Sequence, residues 1–176
     1  LWALLLCAAA RPVWLGEPVK LPHKGRDLML AIDISMSMQI DDMRLNGQAT
    51  DRLTMVKYVL NDFLQRREGD RVGLVFFGDR AYLNSPLTHD LDTVRQFMLE
   101  AQAGFAGEQT AIGDGIGLAL KRLSAQVETD RVIILLTDGR NTTGNTQPID
   151  AAQLAKELDT KIYTIGIGAP AQGFFN

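Results

Sequence analysis

The sequence predicts an α/β fold, a doubly wound and mainly parallel sheet with helices on both faces. Three observations carry that expectation. Short apolar runs alternate with amphipathic helical patterns along most of the chain. The central runs are apolar on successive residues, as strands buried on both faces require. The polar residues that end two of these runs fall at their carboxyl ends, where open sheets of this kind place their sites.

At 176 residues the chain fits one domain. An apolar share of 46% with 22% charged residues is ordinary for a globular protein and too hydrophobic for a disordered one. The formal net charge is -3, and Lys and Arg are scattered among acids with no basic stripe, which argues against a nucleic-acid partner. The lone Cys7 excludes an internal disulfide framework and a thiolate metal cluster.

The first ten residues, LWALLLCAAA, are uninterrupted apolar sequence followed by Arg11 and Pro12. Ten helical residues reach only about 15 Å, roughly half the hydrocarbon thickness of a bilayer. A core helix or the remainder of a signal peptide is one reading. The expectation adopted is the distal half of a transmembrane helix, supported by Trp14 at interfacial distance and the lack of a polar face. Residues Pro12–Arg26, with three prolines and no sustained periodicity, read as a tether.

Leu28–Ile32 reads as the first buried strand, after which Asp33, Ser35 and Ser37 alternate in a polar exit. Gln39–Thr50 is polar and loop-like, with a turn signal at Asn46-Gly47. Leu53, Val56, Leu60 and Phe63 mark a helix over 51–67 with Asp51 placed to cap it. Val72–Phe77 is a second strand, and Ala81–Thr88 an edge strand or hairpin arm, since Pro86 cannot donate to a ladder. A second helix fits Asp90–Ala101. A glycine-punctuated loop then leads to Thr110, directly ahead of a third helix over 111–124. Gly113, Gly115 and Gly117 weaken that helix and suggest close packing against a strand or loop. Val132–Leu136 is the third strand and ends in Thr137-Asp138-Gly139. Pro148 opens a fourth helix, and Ile162–Ile167 is the fourth strand.

Asp33 and Asp138 each directly follow a strand, so the predicted fold gathers both on one edge of the sheet. The candidate cation ligands are Asp33, Ser35, Ser37, Thr110 and Asp138. All offer oxygen, two are anionic, and none is His or Cys. Such a set calls for a hard cation. Mg²⁺, which takes about six oxygens in near-octahedral order, fits best, with Mn²⁺ and Ca²⁺ as alternatives. Taken singly, each residue has an ordinary explanation: D-x-S-x-S can form turns, Thr110 can cap a helix, and Asp138-Gly139 can be a strand-exit turn. Their joint placement requires those explanations to coincide.

The segments DISMSM, EQTAIGD and ILLTDG resemble the three parts of the metal-ion-dependent adhesion site of von Willebrand factor A domains. The resemblance runs over roughly Arg26–Gly168. It implies metal ligation by Asp33, Ser35 and Ser37 from the first loop, Thr110 from the second and Asp138 from the third. Flanking sequence, including GDRVGLVFFGDRAYLNSPLTHD and AKELDTKIYTIGIG, is similar to the bacterial Bat aerotolerance proteins. That likeness implies a membrane-anchored module at the bacterial inner membrane, facing the periplasm. Its partners would be a protein offering an Asp or Glu, other Bat-type proteins, and a MoxR-type AAA+ ATPase. The expected organisation is an anchor over 1–11, a tether over 12–26, the domain over 27–168, and a tail over 169–176 that breaks off the C-terminal elements. Met36 departs from the family, which commonly has glycine between the two serines. The larger side chain is expected to reshape the rim or restrict the loop.

Other functions are weaker. Asp33 could act as a nucleophile in Mg²⁺-dependent phosphoryl transfer, but that chemistry usually wants a second acid where Ser35 stands. No G-x-x-x-x-G-K-[ST] loop or G-x-S-x-G elbow is present. His23 and His89 lack a persuasive Ser partner, and Gly113–Gly117 lacks dinucleotide spacing. The expectation is therefore a binding module and not an enzyme. A purely structural metal site, with no open coordination position, is the third reading.

Overall fold

A computed structural model of the chain describes residues 2, 25–67, 69–125 and 130–168. The expected tail lies outside the described residues, as does nearly all of the expected anchor and tether, of which only Trp2, Gly25 and Arg26 are described. Among the described residues no helix is long and apolar enough to cross a membrane.

The elements run β1 (Asp27–Asp33), a 3₁₀ turn (Met36–Gln39), β2 (Met43–Leu45), β3 (Gln48–Thr50), α1 (Arg52–Gln65), β4 (Arg71–Phe77) and β5 (Ala81–Thr88). They continue with α2 (Leu91–Glu100), α3 (Ile112–Leu123), β6 (Arg131–Thr137), α4 (Pro148–Glu157) and β7 (Thr160–Gly166). The main sheet has the order β5-β4-β1-β6-β7. β4, β1, β6 and β7 are parallel, and β5 is antiparallel on the outer edge. This is the doubly wound fold that the alternation of elements predicts.

β1 is buried at all seven positions because each face of it has a helical layer to meet. Leu28, Leu30 and Ile32 point to the side where Val56, Leu60 and Leu64 of α1 and Val94 and Met98 of α2 pack. Met29 and Ala31 point to the other side, against Ile116 and Leu120 of α3 and Ala151 and Ala155 of α4. Strand alternation of period two thus sorts one apolar run into two cores. At the amino end of the sheet, Arg71 grips the buried Asp27 with two 2.7 Å hydrogen bonds.

The helix starts follow local capping chemistry. Asp51 accepts from the Thr54 amide at 2.8 Å and Asp90 from the Thr93 amide at 3.0 Å, each supplying an acceptor for an orphan first-turn donor. Gly113 and Gly115 do pack closely: a Cβ at Gly113 would lie 1.9 Å from the Thr146 carbonyl oxygen, and one at Gly115 would meet the Phe77 ring at 2.9 Å. Gly117 differs, since a Cβ there would meet nothing within 4 Å.

Residues 39–50 depart from the loop-like expectation. β2 and β3 pair as a small antiparallel hairpin, Leu45 opposite Gln48, with Asn46 (φ 53°) and Gly47 (φ 85°) as its two-residue turn. Asn-Gly suits that turn because both positions need left-handed backbone. The polar surroundings had masked two strands of three residues each, in which Met43, Leu45 and Thr50 are half-buried and the rest exposed. At the opposite edge of the main sheet, among the described residues, β7 pairs with β6 alone, and Tyr163 and Ile165 are exposed.

Candidate functional site

The register of the parallel strands decides where the site forms. Ile32 of β1 is level with Leu136 of β6, so Asp33 at the end of β1 comes beside Thr137 and Asp138 at the end of β6. Asp33 is completely buried. Its Oδ1 accepts from the Ser35 amide at 3.0 Å, and its Oδ2 accepts from the Thr137 hydroxyl at 2.7 Å.

The five candidate ligands form one connected cluster. Ser35 Oγ lies 3.0 Å from Ser37 Oγ, and Thr110 Oγ1 donates to Ser35 Oγ at 3.2 Å. Ser37 Oγ donates to Asp138 Oδ1 at 2.9 Å. Thr110 is not an ordinary helix cap: Ala111 takes the cap position of α3, with no side-chain cap bond. The Thr110 hydroxyl instead faces the serines, and Asn141 Oδ1 accepts from the Ile112 amide at 2.8 Å.

Neighbouring loops hold these groups in place. The Thr110 amide donates to Thr142 Oγ1, and the Thr110 carbonyl accepts from the Thr142 amide, both at 2.9 Å. Asp114 accepts from the Asn145 and Thr146 amides, and Asp79 accepts from the Gln109 amide at 2.6 Å. The loop after β6 is therefore tied to the start of α3.

The electrostatics are those of a crowded anionic pocket. Burial pushes the Asp33 carboxyl above its usual range, hydrogen bonds from Ser35 and Thr137 oppose this, and the nearby Asp138 charge adds to the push. Arg52, the first residue of α1, donates from Nη1 to Asp138 Oδ2 at 2.6 Å. Its Nε and Nη2 engage Asp42 at 2.9 and 2.6 Å. Those carboxylates, Asp42 foremost, raise the Arg52 pKa further above its ordinary value.

Sequence reasoning missed Arg52, Thr137, Asn141 and Thr142. Thr137 carried a weak signal, being a polar residue at the end of an otherwise apolar strand. Arg52 carried none, since a basic residue after a helix cap looks like any other. Met36 stays out of the cluster. It is partly exposed, and its sulfur would sit 3.2 Å from a Cβ at Gly104, so it packs over the glycine loop.

The donor set fits a small divalent cation. Adjacent ligands of an octahedral ion with bonds near 2.1 Å lie roughly 3.0 Å apart. The hydroxyl and carboxylate oxygens here are spaced 2.9 to 3.2 Å. Among the described residues no group of three or more His, Cys, Asp or Glu is placed to hold a metal, so the hydroxyls are needed to complete any such shell.

The model of the von Willebrand factor type A domain family matches residues 28–141, which includes all five clustered residues. An uncharacterized protein of Borreliella burgdorferi is 32% identical over 145 residues, covering 82% of this chain and 41% of that protein. The chain thus spans about two fifths of the length of that curated relative. Among solved structures, an aerotolerance-related membrane protein of Bacteroides fragilis is 28% identical with a TM-score of 0.75, covering 84% of this chain and 70% of that one. An uncharacterized membrane-spanning protein of Vibrio fischeri is 51% identical with a TM-score of 0.57, covering 81% and 70% respectively. Proximal thread matrix protein 1 of the mussel byssus, solved with zinc in its MIDAS motif, is 26% identical with a TM-score of 0.68, covering 81% and 35%. This chain belongs to the von Willebrand factor type A domain family.

Proposed function

We propose that this domain is a metal-ion-dependent protein-binding module. Asp33, Ser35, Ser37, Thr110 and Asp138 would hold a divalent cation, Mg²⁺ by size, with Mn²⁺ and Ca²⁺ as alternatives. When bound, the ion supplies a Lewis-acidic position for an Asp or Glu carboxylate of a partner protein. The observation that carries the reading is the spacing of four of the five donors, Ser35, Ser37, Thr110 and Asp138, at octahedral-edge distances, with Asp33 buried at the foot of the same loop. Two facts support it. Asp33 is buried beside a second carboxylate, an arrangement a cation would relieve. The mussel relative carries zinc at the corresponding kind of motif.

We read the domain as non-enzymatic. Ser35 stands where phosphoryl transfer on an Asp33 nucleophile usually wants a second acid, which speaks against that chemistry. The proposal extends to a bacterial inner-membrane protein with residues 1–11 as anchor, 12–26 as tether and the 27–168 domain facing the periplasm. Other Bat-type proteins and a MoxR-type AAA+ ATPase are the proposed partners. The relatives from Bacteroides fragilis and Vibrio fischeri, both named as membrane proteins, support the membrane association in this reading.

The test is capture of partners from solubilised native membranes with Mg²⁺, with EDTA, and with Ser37→Ala. Capture should require the metal and be lost in the variant. Capture that is equal in all three conditions overturns the reading.

A further inference from the structure

We propose that Arg52 is a positioning residue for the cation site, acting through Asp138 and held in place by Asp42. This rests on the metal-binding reading above.

Asp138 is gripped from two sides. Ser37 donates to Oδ1, and the Arg52 guanidinium donates to Oδ2 at 2.6 Å, with the Asp138 side chain only 2% exposed. The guanidinium turns the carboxylate so that Oδ1 faces the hydroxyl cluster. A carboxylate free to rotate would present either oxygen and lose that alignment. Arg suits this task because its planar fork engages two carboxylates at once, using Nη1 for Asp138 and Nε with Nη2 for Asp42. A lysine ammonium on a flexible stem offers no such fixed geometry.

The charges explain why an arginine is tolerable beside a cation site. A lone guanidinium there would repel a divalent ion. Asp42 offsets that charge through its own two bonds to Arg52, so the Arg52–Asp42 pair brings no net charge to the rim. What the pair contributes is orientation. It also couples the site to a distant part of the chain. Asp42 directly precedes the β2–β3 hairpin and Arg52 opens α1, so both hairpin and helix are stapled to the end of β6. Gly168, just past β7, lies against the same guanidinium, with a Cβ there falling 3.5 Å from Arg52 Nη2.

The clean test removes the pair without changing net charge. Mn²⁺ affinity of the full 176-residue chain is measured by titration calorimetry for the wild type and Arg52→Met/Asp42→Asn. The melting temperature of each metal-free protein is recorded alongside. Groups that orient metal ligands through hydrogen bonds typically change affinity by about 10- to 100-fold when removed, and that loss is expected here. Arg52→Lys, which keeps the charge and is the milder change for folding, should also fail to restore affinity. A purely structural role for Arg52 would lower the metal-free melting temperature and leave the affinity of the folded variant within about threefold of wild type. That result overturns the proposal. A wild type that binds no Mn²⁺ and no Mg²⁺ instead overturns the metal-binding reading itself.

Discussion

Ser37 and Asp138, 101 residues apart in sequence, meet through a 2.9 Å hydrogen bond that joins the loop after β1 to the end of β6. Each oxygen in that bond is also a proposed metal ligand. Saturating Mg²⁺ or Mn²⁺ should therefore stabilise the fold by mass action, about 2.7 kcal/mol at a hundredfold excess over Kd, or about 5–10 °C in Tm. Ser37→Ala should lose most of this shift while costing the metal-free protein about 1–3 kcal/mol, since its hydroxyl donates to a buried carboxylate. Thermal melts with the ion and with EDTA decide it. An equal metal-induced shift in both proteins would remove Ser37 from the ligand set.

Thr137 should matter to stability even without metal. Its hydroxyl donates at 2.7 Å to the Asp33 carboxylate, which is fully buried. Thr137→Val keeps the shape and deletes the donor, so a loss of about 1.5–3 kcal/mol is expected in urea unfolding. Thr137→Ser should recover most of it. A valine variant as stable as wild type would mean that another donor serves Asp33.

Asp27 and Arg71 make a similar argument far from the site. Asp27 is 1% exposed and takes both of its 2.7 Å bonds from one guanidinium. Arg71→Met deprives the buried Asp27 of its guanidinium partner and should cost about 3 kcal/mol. The double change Asp27→Leu/Arg71→Met removes the buried charge as well and should recover a large part of the loss. If the double variant is less stable than the single one, burial of charge is the wrong cause.

Met36 stands where the family commonly has glycine, and its side chain packs over Gly104 instead of entering the oxygen cluster. Met36→Gly should lower stability by about 1 kcal/mol through lost packing and added chain freedom. The metal-induced melting shift should survive. A variant that folds but no longer responds to metal would assign Met36 a direct part in shaping the site.

Much of the fold was legible because its signals are local. Apolar runs such as Leu28–Ile32 and Val132–Leu136, spaced by helical patterns, point to a buried parallel sheet from composition and period alone. Asp51 and Pro148 marked helix starts through local signals that need only a few adjacent residues, and the structure adds Asp90 as the cap of α2. The hairpin at 43–50 was missed because each of its strands is only three residues long, too short for the alternation of Met43, Arg44 and Leu45 to stand out, although Asn46-Gly47 named its turn.

The sequence by itself determined the strands of the main sheet and its helices, the two apolar faces of the central strands, and which oxygen-bearing residues stand at strand exits. Tertiary structure alone decided the strand order, the level register of β1 and β6, and the partners that hold the site. Thr137 serves Asp33 across 104 residues, and Arg52 serves Asp138 across 86. The physical reason is range. Hydrophobic period and capping act between near neighbours, whereas a hydrogen bond depends on distance in space, and only the packed sheet brings these loops within 3 Å of one another.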